Sequence, residues 1–157
     1  MIGREISHYR VLKPLGRGGM GEVSLAEDLT LPRQVALKLL SDACSSDEER
    51  LERFEREARA IARIDHPGVV TVYEAGRHEG APFLAMQYVE GETLEARLSR
   101  GPLDVADAAR IGVEIADVLS EVHALGIVPR YLKPSNIILA SKGRVRLFDF
   151  GIASLRG

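Results

Sequence analysis

Gly16, Gly18 and Gly21 stand at G-x-G-x-x-G spacing within Gly16-Arg17-Gly18-Gly19-Met20-Gly21-Glu22-Val23. Bare backbone of that kind lets a phosphate approach closely. The same spacing also serves a glycine-rich hairpin turn with no ligand. A dinucleotide-binding unit would need a helix directly after it, and strand-like sequence follows instead. Further on, Val35-Ala36-Leu37-Lys38 has the pitch of a strand, whose period of two puts Ala36 and Lys38 on one face. A lone strand lysine is ordinarily solvated, so the meaning of Lys38 depends on a partner. Glu57, on the next segment, can supply one: an ion pair would hold the ammonium toward phosphate oxygens. Otherwise Glu57 belongs with Glu55, Arg56 and Arg59 to a solvated face with weak i, i+4 pairs. His8, His78 and His123 have no ligand-spaced neighbours and read as surface or satisfied histidines.

These residues need elements to hold them. Short strands are expected from Tyr9 to Leu15, from Glu22 to Asp28 after the glycines, and from Arg33 to Leu40 after Leu31-Pro32. A helix is expected from Ser46 to Ile64, with Ser46 and Glu49 as a capping box and Leu51, Phe54, Ala58 and Ile61 as its apolar stripe. The stripe is too short for a coiled coil. His66-Pro67-Gly68 ends the helix, and Val69 to Tyr73 and Pro82 to Val89 read as two more strands joined through Gly76 and Gly80. The simplest assembly is a five-stranded antiparallel sheet with one helix. After Gly91 the pattern turns helical. Thr93 to Arg100 is a short helix, and Asp104, with Asp107 three residues on, caps a long one running to about Leu125. An irregular stretch holding Pro129 and Pro134 leads to a small hairpin, Ile137 to Ala140 and Arg144 to Phe148, around Lys142-Gly143. Strands followed by helices indicate an α+β chain with a hinge near Gly91.

Taken in order, the glycine loop, Val35 to Lys38, Glu57, Leu132-Lys133-Pro134-Ser135-Asn136 and Asp149-Phe150-Gly151 resemble the signature set of the protein kinases. Lys133-Pro134-Ser135-Asn136 is similar to the serine/threonine branch, and Leu15 to Val23 resembles the bacterial members. The resemblance implies a kinase-like small lobe over residues 1–90, with glycine loop and hinge, then the first part of the helical large lobe over 91–157. It implies ATP and Mg2+ as ligands. Leu15, Val23, Ala36 and Ile138 would sandwich adenine, with Met86 at the back of the pocket and Gln87 to Val89 as hinge. Backbone groups of Gln87 and Val89 would bind the adenine edge. The loop residues Gly16, Arg17, Gly18, Gly19, Met20, Gly21 and Glu22 would lie over the phosphates. Lys38, held by Glu57, would contact the α and β phosphates, Lys133 would sit near the γ phosphate, and Asn136 and Asp149 would hold magnesium. Outside that set, Asp149 would read as a turn-capping aspartate before glycine.

Two features depart from the family's pattern. Where it has His-Arg-Asp before Leu-Lys-Pro, this chain has Pro129-Arg130-Tyr131. The missing aspartate orients the proton of the substrate hydroxyl; a phenol with a pKa of about 10 is protonated at neutral pH and cannot replace it. Loss of a general base costs a factor of about 10² to 10⁴ in rate. Pro129 also removes the imidazole that would pack beside Phe150, a link in the spine running through Ile61. Secondly, the chain ends at Gly157, ahead of any activation segment. The long helix carries Ile111, Ile115, Val118, Leu119 and Val122 along one side, expected to be an exposed apolar face suited to a protein partner. The expectation is an ATP-binding, kinase-like protein whose phosphotransfer is lost or feeble. The alternatives are an active serine/threonine kinase with an altered or incomplete sequence, and an interaction module that needs no nucleotide.

Composition sets the remaining bounds. A formal net charge of -2, from 21 basic and 23 acidic residues, gives no field that would gather nucleic acid or an anionic membrane. The single Cys44 cannot form an internal disulfide, and no apolar run is long enough to cross a bilayer, so a reducing, cytoplasmic setting is expected.

Overall fold

The computed structural model describes residues 2–18, 21–40, 48–129 and 132–148. They fall into two compact units. The first holds the described residues through Ala62 together with Thr71–Tyr88; the second holds Arg63–Val70 and the described residues from Val89 onward.

The first unit is built on an antiparallel sheet of six strands: β1 (Glu5–Ile6), β2 (Tyr9–Gly18), β3 (Gly21–Asp28), β4 (Arg33–Leu40), β5 (Val72–His78) and β6 (Ala81–Gln87), in the order β1-β2-β3-β4-β6-β5. All five expected strands are present, and β1 joins them at the edge. Its two residues are too few to show a periodicity. The fifth strand begins at Val72 rather than Val69, because Val69 and Val70 belong to the second unit, where the Val70 N–H is bonded to Leu147 O at 2.9 Å. Facing residues on neighbouring strands share a face. Ala26, Val35, Leu37, Phe83 and Ala85 lie on one side and pack with Ile6, Tyr9 and Val11 into the main apolar cluster. The opposite face carries Val23, Leu25, Ala36, Lys38, Leu84 and Met86. Helix α1 (Glu48–Ile61) is shorter than expected at its C-terminal end, and Ser46 lies outside the described residues. Its Phe54, Ala58 and Ile61 are buried, as their spacing requires of an amphipathic helix, and it packs against β5.

The second unit contains α2 (Leu94–Leu98), capped by Thr93, and α3 (Val105–Ala124), capped by Asp104, whose Oδ1 accepts the Asp107 N–H at 2.8 Å. The expected hairpin is β8 (Ile137–Ala140) and β9 (Val145–Leu147), and β7 (Gly91–Thr93) adds a third strand in the order β7-β8-β9.

The expectation of an exposed apolar face on α3 is corrected here. Ile111, Val118 and Val122 are buried, and Ile115 and Leu119 are half-buried. A β-carbon on Gly68 would collide with Val118 Cγ2, Glu114 accepts the Val145 N–H at 2.7 Å, and Arg110 donates to Gly143 O at 2.7 Å. The face therefore packs on its own unit, against β9 and the segment around Gly68. Helical spacing shows that a face is apolar but not which remote segment covers it. The outward side of α3 instead carries Val105, Ala109, Gly112, Val113 and Ala116, all exposed. No helix among the described residues is long and apolar enough to cross a membrane.

Candidate functional site

In the first unit, chemistry-bearing residues gather through strand register. Val23 lies directly across from Lys38, Ala36 across from Met86, and Gly16 across from Val23. Lys38 is only 6% exposed. A buried ammonium flanked by Val23 and Leu84 is costly unless anionic groups meet it. Leu15 sits at a bulge of β2 and is half exposed, as Pro14 at that bulge would suggest, since proline cannot continue a ladder.

That register is set at the far end of the β3–β4 hairpin. Asp28 has no exposed side-chain surface and receives bonds from the Thr30 N–H and hydroxyl, the Leu31 N–H and Arg33 Nε, at 2.7 to 3.1 Å. Burial by itself pushes the carboxyl up, but the bonds from Thr30, Arg33 and Leu31 outweigh it and hold Asp28 well below the usual carboxylate range. Arg33, paired across from Asp28, also lies over the Tyr73 ring at 3.9 Å. The turn is thereby pinned, and with Asp28 opposite Arg33 the ladder must bring Val23 opposite Lys38.

The glycines of the loop divide by what demands them. Gly21 has φ +146°, and a β-carbon there would collide with Leu39 O, so the fold itself requires glycine. Gly16 has no described atom within 4 Å of where a β-carbon would stand. The fold does not demand glycine there, and the open space suits the approach of a ligand. Arg17 and Glu22 face each other across the same turn, with Arg17 exposed and Glu22 half-buried. At the end of β6, the Gln87 N–H is bonded to Thr71 O at 2.8 Å. That donor is committed within the protein. Val89 is half-buried.

In the second unit, Lys133 is exposed and Asn136 is buried, at the two ends of a 3-10 turn closed by Asn136 N–H to Lys133 O at 2.9 Å. The Phe148 N–H bonds Asn136 O at 3.1 Å, so the residue just before Asp149 is tied to Asn136. Ile138 is half-buried and pairs with Thr93 and Arg146. Gly19, Met20, Tyr131 and Asp149 lie outside the described residues, as do Cys44, Arg130, Phe150 and the side chain of Glu57. Among the described residues no cluster of three or more His, Cys, Asp and Glu is arranged to hold a metal.

Sequence reasoning missed the bracing of this unit. His66 Nδ1 accepts the Gly68 N–H at 2.8 Å while its Nε2 lies 3.1 Å from Asp117. Arg146 donates to Pro67 O, and the Leu147 N–H bonds Gly68 O at 2.7 Å. The His-Pro-Gly sequence signalled a helix break, which it is, but nothing local signalled that the break docks on β9.

Residues 9–156 match the family model described as the protein kinase domain. The chain is 39% identical over 156 residues to the serine/threonine-protein kinase PrkC of Bacillus subtilis (strain 168), covering 98% of this chain and 24% of that protein. It is 41% identical over 150 residues to the serine/threonine-protein kinase pkn2 of Myxococcus xanthus, covering 94% of this chain and 18% of that protein. Two crystal structures of the Mycobacterium tuberculosis PknI kinase domain match at 34% identity with TM-scores of 0.88 and 0.84, each covering 98% of this chain and 62% or 63% of theirs. The chain thus spans about a quarter or less of these curated relatives and under two thirds of the solved kinase domains.

Proposed function

This chain belongs to the protein kinase family, as a serine/threonine kinase-like domain, and on that premise we propose that it binds ATP with Mg2+ while transferring phosphate feebly or not at all. The two compact units are read as the small lobe and the start of the large lobe. The observation that carries the nucleotide reading is the register setting Val23, Ala36, Lys38 and Met86 on one face with the ammonium of Lys38 buried among them. Apolar side chains beside a buried cation suit the flat base and the anionic phosphates of one ligand. Lys38 would meet the α and β phosphates with Glu57 holding it. Leu15 would lie against adenine, and the bare backbone at Gly16 would admit the phosphates. Asn136 and Asp149 supply amide and carboxylate oxygens, hard donors that fit Mg2+, and the Phe148 to Asn136 bond supports their acting together. Magnesium would neutralise phosphate charge there.

The reading of weak phosphotransfer rests on Tyr131, whose phenol is a poor proton acceptor at neutral pH. Lys133 alone would not supply the missing base. A reducing, cytoplasmic setting is part of the same proposal and rests on Cys44 being the sole cysteine.

The test is a thermal unfolding series with and without ATP and Mg2+, using Lys38→Ala as control. A ligand at a hundredfold excess over Kd adds about 2.7 kcal/mol, several degrees for a domain of this size. A rise in Tm that Lys38→Ala abolishes is the expected result; no rise in a cooperatively melting sample overturns it. Transfer from γ-labelled ATP to a mixed peptide substrate is expected to be at background for the natural chain and higher for Tyr131→Asp. Robust transfer by the natural chain would overturn the second half of the reading.

A further inference from the structure

Helix α1 is held to the sheet by an ion pair that spacing along the chain does not reveal. Arg77 on β5 donates from Nε at 3.3 Å and from Nη2 at 3.2 Å to one carboxylate oxygen of Glu55 on α1. The other oxygen of Glu55 takes Arg59, one helical turn on, at 3.2 Å. Sequence alone suggests only the second of these contacts, an i, i+4 pair on a solvated face.

Two observations give the first contact a larger meaning. β5 is anchored from both sides. It pairs with β6, and the N-terminal segment reaches it through Arg4 to Glu79 at 2.6 Å, the Ser7 N–H to His78 Nδ1 at 3.1 Å and the Tyr9 hydroxyl to Glu74 at 2.7 Å. Arg77 also stands on the face that carries Lys38. Ala75 is across from Leu84, Leu84 is across from Lys38, and Arg77 follows Ala75 by one period of the strand. Buried Phe54, Ala58 and Ile61 keep α1 on the sheet, but apolar burial is non-directional and resists sliding or rotation only weakly. A guanidinium donating twice to one carboxylate oxygen limits both. Glu57 lies two residues after Glu55 on the same helix, about 3 Å further along its axis.

We infer that the Glu55–Arg77 ion pair is a positioning device that fixes α1 against the sheet face carrying Lys38, so that breaking it loosens α1 and weakens nucleotide binding without unfolding the unit. The inference rests on the nucleotide reading above. The side chains of Arg77 and Glu55 are 44% and 30% exposed, and pairs of that kind contribute little to global stability. Their effect is therefore expected on the local freedom of α1 and not on the melting of the whole chain.

The experiment compares the full chain with Glu55→Arg, Arg77→Glu and the double reversal. It reads amide hydrogen exchange over residues 48–61 without nucleotide, and the affinity for ATP with Mg2+. Each single reversal is expected to speed exchange in α1 severalfold and to weaken ATP about two- to fivefold, with Tm nearly unchanged; the double reversal recovers both. Unchanged exchange in the single variants overturns the tether. Faster exchange with unchanged ATP affinity overturns its connection to Lys38. A natural chain that binds no ATP overturns the nucleotide reading and that connection with it, while the exchange arm still decides the tether.

Discussion

Tyr9 donates its hydroxyl to Glu74 Oε2 at 2.7 Å, joining β2 to β5, the far edge of the sheet, across 65 positions of sequence. With Arg4 on Glu79 and the Ser7 N–H on His78, the N-terminal segment is tied to β5 and the turn that follows it. Burial first, and then the bond and charge of Glu74, push the Tyr9 phenol well above its ordinary range. The folded chain therefore favours the neutral phenol more than the unfolded chain does. This contribution to stability is fully present below the unfolded pKa of about 10 and is lost as pH rises above it. Urea unfolding at pH 8 and pH 11 checks this: the natural chain should lose more stability over that interval than Tyr9→Phe does. At pH 8, Tyr9→Phe should cost about 1 kcal/mol, the net worth of one hydrogen bond to a partly exposed acceptor.

Asp28 carries the opposite sign. Its carboxyl is held low in the folded state, so its contribution is present above the unfolded value of about 3.9 and is lost as pH falls below it. Asp28→Ala should destabilise by roughly 2 to 3 kcal/mol at pH 7, since it strands the Thr30 and Leu31 donors and frees Arg33. The gap between variant and natural chain, measured by denaturant melts, should narrow at about pH 3, where the unfolded carboxyl is protonated.

Two glycines of one loop should part company on substitution. Gly21→Ala forces a side chain into Leu39 O at a positive φ and should cost about 2 kcal/mol or more. Gly16→Ala meets no described atom and should change stability by no more than about 0.5 kcal/mol. If the space beside Gly16 serves phosphate, the same variant should weaken ATP binding about tenfold, or about 1.4 kcal/mol, in a calorimetric titration.

Ser24 points into the apolar side of the sheet beside Leu37, and its hydroxyl has no hydrogen-bond partner among the described residues. A buried hydroxyl without a partner lowers stability, so Ser24→Ala should be neutral or stabilising by up to about 1 kcal/mol. Thermal melts of the two chains decide the sign, and a clear loss in the variant would point to a bond that the hydroxyl does make.

Much of this was legible in the chain itself, because local rules govern it. Strand alternation gave β2, β3, β4 and β6. The Asp104 cap and apolar periodicity gave α3, and the pitch of Val35-Ala36-Leu37-Lys38 put Ala36 and Lys38 on one face of β4. Each rests on neighbours within a few residues, whose energies do not depend on where the rest of the chain goes. That the sequence reads Pro129-Arg130-Tyr131 ahead of Leu132-Lys133-Pro134 is likewise a fact of sequence alone.

What only the tertiary structure decided are relationships between segments far apart. The burial of Ile111, Val118 and Val122 against Gly68 and β9, the start of β5 at Val72, and the Glu55–Arg77 tether all depend on which partner arrives. An apolar stripe or a charged side chain fixes what kind of neighbour it needs but not its address. Several segments satisfy the same chemical requirement, and the choice among them falls to chain connectivity and packing.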